Sequence, residues 1–193
     1  MLRDAGIEPR VLVSGIDETD YDGLPVADLV QVLAERKARA VAALRPGALV
    51  LGCDSLLELG GVALGKPADA VEAAAMWRRL SGRRGTLLTG HCLIEPGSGR
   101  RVSAVARTVV RFGTPTEAEI AAYIATGQPL SLAGAFSIDG LSAPFVEGVE
   151  GDPSNVVGLS LPLLRHMLAE LGVAITDLWD RGPDSRAARS TSA

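Results

Sequence analysis

The sequence predicts an α/β fold, in which helices flank a central sheet. Three observations support this class: an apolar stripe with helical spacing, several apolar runs of strand length, and capping residues ahead of later helices. A chain of 193 residues can bury one sizeable core. We therefore expect a single domain over residues 1–179 and, from its Arg, Ser, Ala and Pro content, a disordered tail over residues 180–193.

The first predicted elements are a strand and a helix. The apolar residues 11–13 predict a short strand, after which come the acids Asp17 and Glu18. Those acids belong either to an ordinary polar loop or to a site at the strand end. Apolar residues then recur at helical spacing over residues 26–44, which predicts an amphipathic helix. Lys37 lies on its apolar stripe, so its charge must be paired, reach a wet cavity, or snorkel at the edge.

A buried strand and a hairpin come next. The apolar residues 48–52 are typical of a buried strand, which would put Asp54 just past a carboxyl end, where open α/β sheets bind ligands. Residues 56–64 hold two apolar runs around a Gly-Gly pair, which predicts a β-hairpin with a two-residue loop. In that register Lys66 lies across from Ser55 and beside Asp54. The acid and the ammonium form either a structural ion pair or part of a phosphate and metal site.

The remaining elements complete the α/β pattern. Capping residues predict helices that start at Asp69 and Thr116, and Pro162 lies near the first turn of a final helix. Residues 86–94 and 102–112 predict two strands, and the Pro-Gly-Ser-Gly segment between them is typical of a long hairpin.

The Gly-rich residues 132–158 have two interpretations. Such loops can turn backbone N–H groups toward an anion, or they can serve tight turns that need positive φ. Asn155 in this segment could bind a base or cap a turn, and we favour the turn.

The two lysines are the most informative charges in the chain. Lys37 and Lys66 stand against seventeen arginines (19 basic residues less two). They are either remnants of an Arg-biased composition or positions where a compact, movable ammonium must meet a phosphate. Carboxylates near such a lysine favour a hard cation such as Mg²⁺, because that ion takes oxygen ligands together with substrate phosphates.

Seven segments match one known family in their order and spacing, and they are specific as a set rather than singly. In chain order these are residues 14–18, the helix around Lys37, and residues 52–55, 64–67, 89–91, 123–136 and 151–159. On these segments the chain resembles the Maf-type nucleotide pyrophosphatases. The resemblance implies an elongated central mixed sheet flanked by helices, in two lobes with a cleft between them.

The resemblance also implies an activity and its residues. The expected reaction is hydrolysis of nucleoside triphosphates, standard or modified and ribo or deoxy, to nucleoside monophosphate and pyrophosphate. It uses a divalent cation, Mg²⁺ or Mn²⁺. Asp54 would be the proton acceptor, and Asp54 and Glu18 would serve catalysis and the metal. Four further side chains would contact the substrate: Lys37 and Lys66 on the phosphates, and Ser55 and Asp139 at positions linked to substrate choice.

Two departures from the family pattern qualify these expectations. The usual opening strand and its Ser- and Arg-bearing phosphate loop have no counterpart before Met1. We favour a misassigned start codon over a truncated protein, and the alternative function is a nucleotide-binding or regulatory protein that does not hydrolyse. Asp139 replaces the Gln of an Ile-Gln-Gly motif, and an ionised Asp only accepts hydrogen bonds, so the base preference of Gln-bearing relatives does not carry over.

Composition and charge exclude several classes of protein. A net charge of −4 argues against long nucleic acid as a partner, and no apolar run is long enough to span a bilayer. With no signal peptide either, we expect a cytoplasmic enzyme, and relatives of this shape suggest a homodimer. Cys53 and Cys92 do not make a disulfide framework. A nucleophilic role for Cys53 is disfavoured because no motif puts an imidazole beside it.

Overall fold

A central sheet carries the fold in the computed structural model, which describes residues 1–18 and 23–180. The strands are β1 Val50–Leu59, β2 Val62–Leu64, β3 Arg84–Ile94, β4 Arg101–Phe112 and β5 Val146–Glu150. The helices are α1 Val26–Leu44, α2 Ala70–Leu80, α3 Glu117–Ala125, α4 Pro153–Val156 and α5 Leu161–Glu170. The predicted α/β class, a sheet flanked by helices, is confirmed.

The sheet has five strands in the order β2-β1-β3-β4-β5. All strand pairs that the structure describes are antiparallel, so the parallel pairing of a mixed sheet does not occur in this part of the chain. β2 pairs with β1 only from Leu57 to Leu59. Over residues 50–56, β1 has β3 as its single neighbour among the described residues, so its other edge is open there.

Several predicted elements are confirmed, together with their local causes. The hairpin turn has positive φ at Gly60 (61°) and Gly61 (80°), which this kind of tight turn requires. The Asp69 side chain accepts from the backbone N–H of Glu72 at the start of α2. Thr116 forms a complete capping box ahead of α3. The long hairpin of β3 and β4 and the final helix α5 also form as expected.

The predicted strand over residues 11–13 is wrong. These residues are coil, and the side chains of Val11 and Val13 are 84% and 89% exposed. Strand residues need a partner for their backbone N–H and C=O groups, and no strand of the described chain lies beside this segment. The apolar composition of residues 11–13 therefore did not suffice to make them a strand.

Two expectations about the region around Asp54 are also wrong. The strand does not end at residue 52, because β3 pairs through the polar positions, with Asp54 opposite Gly90 and Ser55 opposite Thr89. Asp54 therefore lies in the middle of β1 rather than past its end. Ser55 and Lys66 are not paired either, since the ladder stops at Leu57 opposite Leu64.

Two glycines let α1 lie directly on the sheet. A Cβ atom at Gly52 would stand 2.4 Å from the carbonyl oxygen of Ala34, and one at Gly90 would stand 2.1 Å from that of Val30. Gly52, Gly90 and Asp54 share one face of the sheet, because side chains alternate along a strand and paired residues face the same way. This close contact sets the position of Lys37, which lies one turn beyond Ala34 on α1.

Two large apolar clusters pack along the sheet, and β1 passes through both. The first surrounds Trp77, which is fully buried and donates from Nε1 to the carbonyl oxygen of Ala135 (2.9 Å). Leu57 belongs to this cluster. The second is built around Leu168 of α5, and Cys53 packs against it. Ser55, which shares a face of the sheet with Cys53 and Leu57, thus stands between the two clusters, while Asp54 faces α1 on the other side.

The two ends of the described chain are joined. Ile7 and Trp179 form a β-bridge, and the backbone N–H of Asp180 donates to the carbonyl oxygen of Gly6 (2.7 Å). The predicted disordered tail otherwise falls on residues 181–193, outside the described residues. Within the described ranges, no helix is long and apolar enough to cross a membrane.

Candidate functional site

Lys37 joins two carboxylates that are far apart in sequence. Its Nζ lies 2.5 Å from Oδ1 of Asp54 and 2.7 Å from Oε1 of Glu18. The side chains are 10% exposed for Asp54, 23% for Lys37 and 52% for Glu18, so the cluster extends from the sheet toward solvent. Of the three possibilities for the charge on the apolar stripe, pairing is the one that the structure shows. We call these three residues the acid–lysine cluster.

The surroundings of the cluster alter the pKa values of two of its members. Burial raises the pKa of Asp54, and although the hydrogen bond and charge of Lys37 lower it, the net shift is upward. Burial by itself lowers the pKa of Lys37, but its contacts with Asp54 and Glu18 outweigh that effect and raise it. The result is a carboxyl group that is more basic than usual beside an ammonium that holds its proton firmly.

Lys66 contributes charge to the same site from another element. The chain leaves β2 at Leu64, and the carbonyl oxygen of Gly65 accepts from the backbone N–H of Gly134 (2.8 Å) instead of continuing the ladder. The side chain of Lys66 is exposed, and its charge lowers the pKa of Asp54. No hydrogen bond or ion pair joins Lys66 to Asp54 among the contacts of residues 1–18 and 23–180.

The two positions that the sequence predicts to influence substrate choice do not join the acid–lysine cluster. Ser55 follows Asp54 on the strand, so its side chain points to the opposite face, where its Oγ lies 2.8 Å from Oγ1 of Thr89. Asp139 is exposed, and its carboxylate accepts from the hydroxyl of Ser137. No contact between Asp139 and the cluster occurs in the part of the chain that the structure describes.

Sequence reasoning missed Thr89 as a partner of Ser55. Thr89 is fully buried, and its hydroxyl donates to the carbonyl oxygen of Asn155 (3.4 Å), so the Ser55 hydroxyl donates to Thr89 in turn. The two residues lie on strands that are far apart in sequence, so no local sequence pattern predicts their contact. Only the register of β1 against β3 brings them together.

Asn155 proves to be an anchor for the backbone. It is fully buried, and its Nδ2 donates to Oγ1 of Thr108 (3.1 Å) and to the carbonyl oxygen of Leu87 (3.3 Å). These bonds hold the short helix α4 against the sheet. The side chain is thus enclosed by protein atoms and anchors α4 to the sheet instead of capping a turn, since the cap of α4 is Asp152, which accepts from the backbone N–H of Ser154.

Cys53 and His91 do not form a nucleophile and its base. Burial raises the pKa of the Cys53 thiol to about 12, so the thiol stays protonated at neutral pH. Nε2 of His91 accepts from the backbone N–H of Ser160 (3.0 Å), and Nδ1 therefore carries the proton and donates to the carbonyl oxygen of Thr89 (2.9 Å). Burial lowers the pKa of His91, which keeps the ring neutral in this structural role. Both cysteines are free, as expected.

The acid–lysine cluster offers a suitable but incomplete set of metal ligands. Asp54 and Glu18 direct two carboxylate oxygens toward one cation, here the ammonium of Lys37. Mg²⁺ is commonly held by one or two carboxylates together with substrate phosphates, so this donor set fits such an ion. Within residues 1–18 and 23–180, no group of three or more His, Cys, Asp or Glu side chains is arranged to hold a metal ion. The remaining ligands would have to come from a substrate or from water.

Comparison with known proteins gives a consistent result. A family described as Maf-like protein matches residues 1–171. A relative from Streptomyces coelicolor is 59% identical over 187 residues, covering 95% of this chain and 90% of the relative. One from Streptomyces avermitilis is 58% identical (93% and 88% covered), and one from Salinispora tropica is 53% identical (100% and 87% covered). All three relatives carry the name nucleoside triphosphate pyrophosphatase.

Proposed function

The chain belongs to the Maf-like protein family, and from this membership we propose that it hydrolyses nucleoside triphosphates to nucleoside monophosphates and pyrophosphate. The names of its relatives support this activity. The observation that carries the proposal is the acid–lysine cluster, in which a nearly buried Asp54 is held beside Glu18 by Lys37. Such a cluster supplies a base and a positive charge for a phosphate in one place.

In the proposed reaction, Asp54 accepts a proton from the attacking water. The water oxygen bonds to phosphorus, the anhydride bond between the α and β phosphates breaks, and pyrophosphate leaves. A base works best when its pKa lies near the working pH, and the raised pKa of Asp54 moves it in that direction. The backbone of Asp54 is held firmly, because β1 pairs with β3 at the residues before and after it along the strand.

The two lysines are proposed to balance the charge of the phosphates. Negative charge grows on the leaving pyrophosphate as the bond breaks, so an ammonium beside it stabilises the transition state more than the bound substrate. Lys37 comes from α1 and Lys66 from the segment after β2, and both act on Asp54. Two separate elements thus supply positive charge close to the proposed base.

Asp54 and Glu18 are the residues that would hold a divalent cation, Mg²⁺ or Mn²⁺. When bound, such an ion neutralises charge on phosphate oxygens. Glu18 is half exposed, which leaves room for substrate oxygens at the open side of the cluster.

Substrate choice is proposed to depend on Ser55 and Asp139. The Ser55 hydroxyl is oriented by Thr89, so its lone pairs remain to accept from a nucleotide. Asp139 is exposed and acceptor-only when ionised, which favours a substrate group that donates.

We further propose that the protein acts in the cytoplasm, where nucleoside triphosphates are abundant, and that it does so as a homodimer.

Product analysis tests the proposed function. The purified chain is incubated with a panel of nucleoside triphosphates, with and without Mg²⁺, and the products are separated by ion exchange. Equal amounts of monophosphate and pyrophosphate, formed only with metal and lost in Asp54→Asn, are expected. Diphosphate and inorganic phosphate would contradict the proposed cleavage position, and nucleotide binding without any turnover would favour a non-hydrolysing nucleotide-binding protein.

A further inference from the structure

The ammonium of Lys37 occupies the place between the two carboxylates. Its Nζ is within contact distance of one oxygen of Asp54 (2.5 Å) and one of Glu18 (2.7 Å). Any other cation shared by these two carboxylates would have to lie in the same region. The formal charges of the cluster sum to −1 with Lys37 present and to −2 without it, so the lysine already supplies part of the neutralisation that a metal ion would bring.

We propose that Lys37 is the resident counter-ion of this site and competes with a divalent cation for Asp54 and Glu18. The metal then enters together with the nucleotide, because the phosphates draw the ammonium away from the carboxylates. This inference rests on the proposed function for the identity of the nucleotide. It adds an order of binding: without nucleotide, Lys37 prevents the metal ion from binding to Asp54 and Glu18.

The structure favours movement of the side chain rather than of the helix. α1 is fixed to the sheet by the close contacts at Gly52 and Gly90, so the backbone of Lys37 cannot withdraw. Its side chain, in contrast, is a flexible four-carbon stem that is partly exposed. Glu18 lies on a non-helical segment at the open side of the cluster. The ammonium can therefore turn toward an arriving phosphate while the helix stays in place.

Exchange of Lys37 for a metal ion has a thermodynamic consequence. If nucleotide removes a competitor of the metal, nucleotide raises the affinity for metal, and metal must raise the affinity for nucleotide by the same factor. Lys66 has no such role, since its charge reaches Asp54 without forming an ion pair with either carboxylate in the described chain. The two lysines therefore make a matched pair for an experiment.

The test is a titration of Mn²⁺ alone, without nucleotide, in a mildly alkaline buffer, with free Mn²⁺ measured by electron paramagnetic resonance. The proteins are the wild type, Lys37→Met, the control Lys66→Met, and Lys37→Met combined with Asp54→Asn. Because the competitor in direct contact is removed, Lys37→Met should bind Mn²⁺ at least about tenfold more tightly than the wild type. Lys66→Met should change the affinity less, and the double variant should lose the gain.

The outcomes separate this inference from the proposed activity. Since no nucleotide is present, the titration reports competition for the carboxylates whether or not the chain hydrolyses a triphosphate. Equal Mn²⁺ affinity in the wild type and Lys37→Met, or undetectable binding by both, would overturn the proposal. Thermal melts establish that each variant is folded. If Lys37→Met unfolds, Lys37→Gln replaces it, because its amide removes the charge and can still donate a hydrogen bond.

Discussion

Asp54 is a carboxyl group whose pKa is pulled in opposite directions by its surroundings. Burial raises it most, the contact with Lys37 lowers it, and the charge of Glu18 raises it again. The side chain of the neighbouring Ser55 takes no part in these contacts, because it points to the other face of the sheet. At the scale of single residues, the chemistry therefore depends on which side chains share a face with Asp54.

The first residue-level prediction concerns the loss of the proposed base. Asp54→Asn keeps the size of the side chain and removes its ability to accept a proton. We expect turnover to fall by about a hundredfold to ten-thousandfold, the usual contribution of a general base. Steady-state kinetics measure the change, and Asp177→Asn, an exposed position on a separate 3₁₀ turn, is the matched control. Equal activity of both variants would exclude Asp54 as the base.

The second prediction concerns pH. Asp54 must be ionised to act as a base, and its pKa lies above the ordinary value of 3.8, so activity should be lost as pH falls through that raised pKa. Glu18→Gln removes a charge that raises the pKa and should move the acid limb of kcat/KM to lower pH. Lys37→Met removes a contact that lowers the pKa of Asp54. It should therefore move the acid limb of the remaining activity to higher pH. Shifts in the same direction would contradict this account of the cluster.

At the scale of elements, the contact between α1 and the sheet decides where Lys37 lies. Gly52 and Gly90 carry no side chain, and the backbone of α1 fills the space that a Cβ would take. Amphipathic spacing predicted the helix, but the closeness of its approach depends on two glycines in strands outside that helix. The position of Lys37 over Asp54 is a product of this packing.

Gly90→Ala tests the packing of α1. The added Cβ would meet the carbonyl oxygen of Val30 at 2.1 Å, so the helix must shift. Overpacking of this kind costs about 1–3 kcal/mol of unfolding free energy, and a backbone obstacle favours the upper end. Urea unfolding measures the loss, with Gly47→Ala as the control because nothing lies within 4 Å of a Cβ there. Wild-type stability in Gly90→Ala would show that α1 adapts freely.

The hydrogen bond between β1 and β3 on the opposite face gives another prediction at this scale. Thr89→Val removes the buried hydroxyl that contacts Ser55 (2.8 Å) and keeps the shape of the side chain. In a double-mutant cycle with Ser55→Ala, we expect a coupling of about 0.5–1.5 kcal/mol in unfolding free energy. Additive effects of the two substitutions would mean that the bond contributes nothing. Comparing nucleotide preference in the same variants shows whether Thr89 also orients Ser55 toward substrate.

At the scale of the whole molecule, β1 connects two apolar clusters, with Ser55 between them on one face of the sheet and Asp54 on the other face. Leu57 packs in the cluster around Trp77, and Cys53 packs in the cluster around Leu168. The edge of β1 over residues 50–56 is open among the described residues. This unpaired edge lies beside Asp54 and Ser55, and the side chain of Asp54 is 10% exposed.

The contact between residues 6–7 and 179–180 gives a prediction for the whole molecule. Trp179 forms a bridge with Ile7 and packs against Gly6, and its side chain is 47% exposed. Trp179→Ala should lower the unfolding free energy by about 1–2 kcal/mol, since roughly half of a large apolar side chain loses its contacts. Hydrogen exchange of residues 1–7 should accelerate. Val71→Ala, at a 78% exposed position, is the control. Unchanged exchange at the first residues would mean that the join contributes nothing to their protection.

The sequence by itself determined the class of the fold, the later helices with their caps, the hairpins and the residue types of the site. These features depend on neighbours within a few positions, such as Thr116 with Glu119 or the paired glycines of a tight turn. The same local reasoning failed for residues 11–13, because a strand exists only when another strand pairs with it.

The tertiary structure alone decided how the site residues meet. Lys37 and Asp54 are seventeen residues apart, and Asp54 faces Gly90 across a register that no local pattern contains. Because side chains alternate along a strand, that register turned Asp54 toward α1 and Ser55 toward Thr89. Burial then set the pKa of Asp54, and burial exists only once helix and sheet have packed.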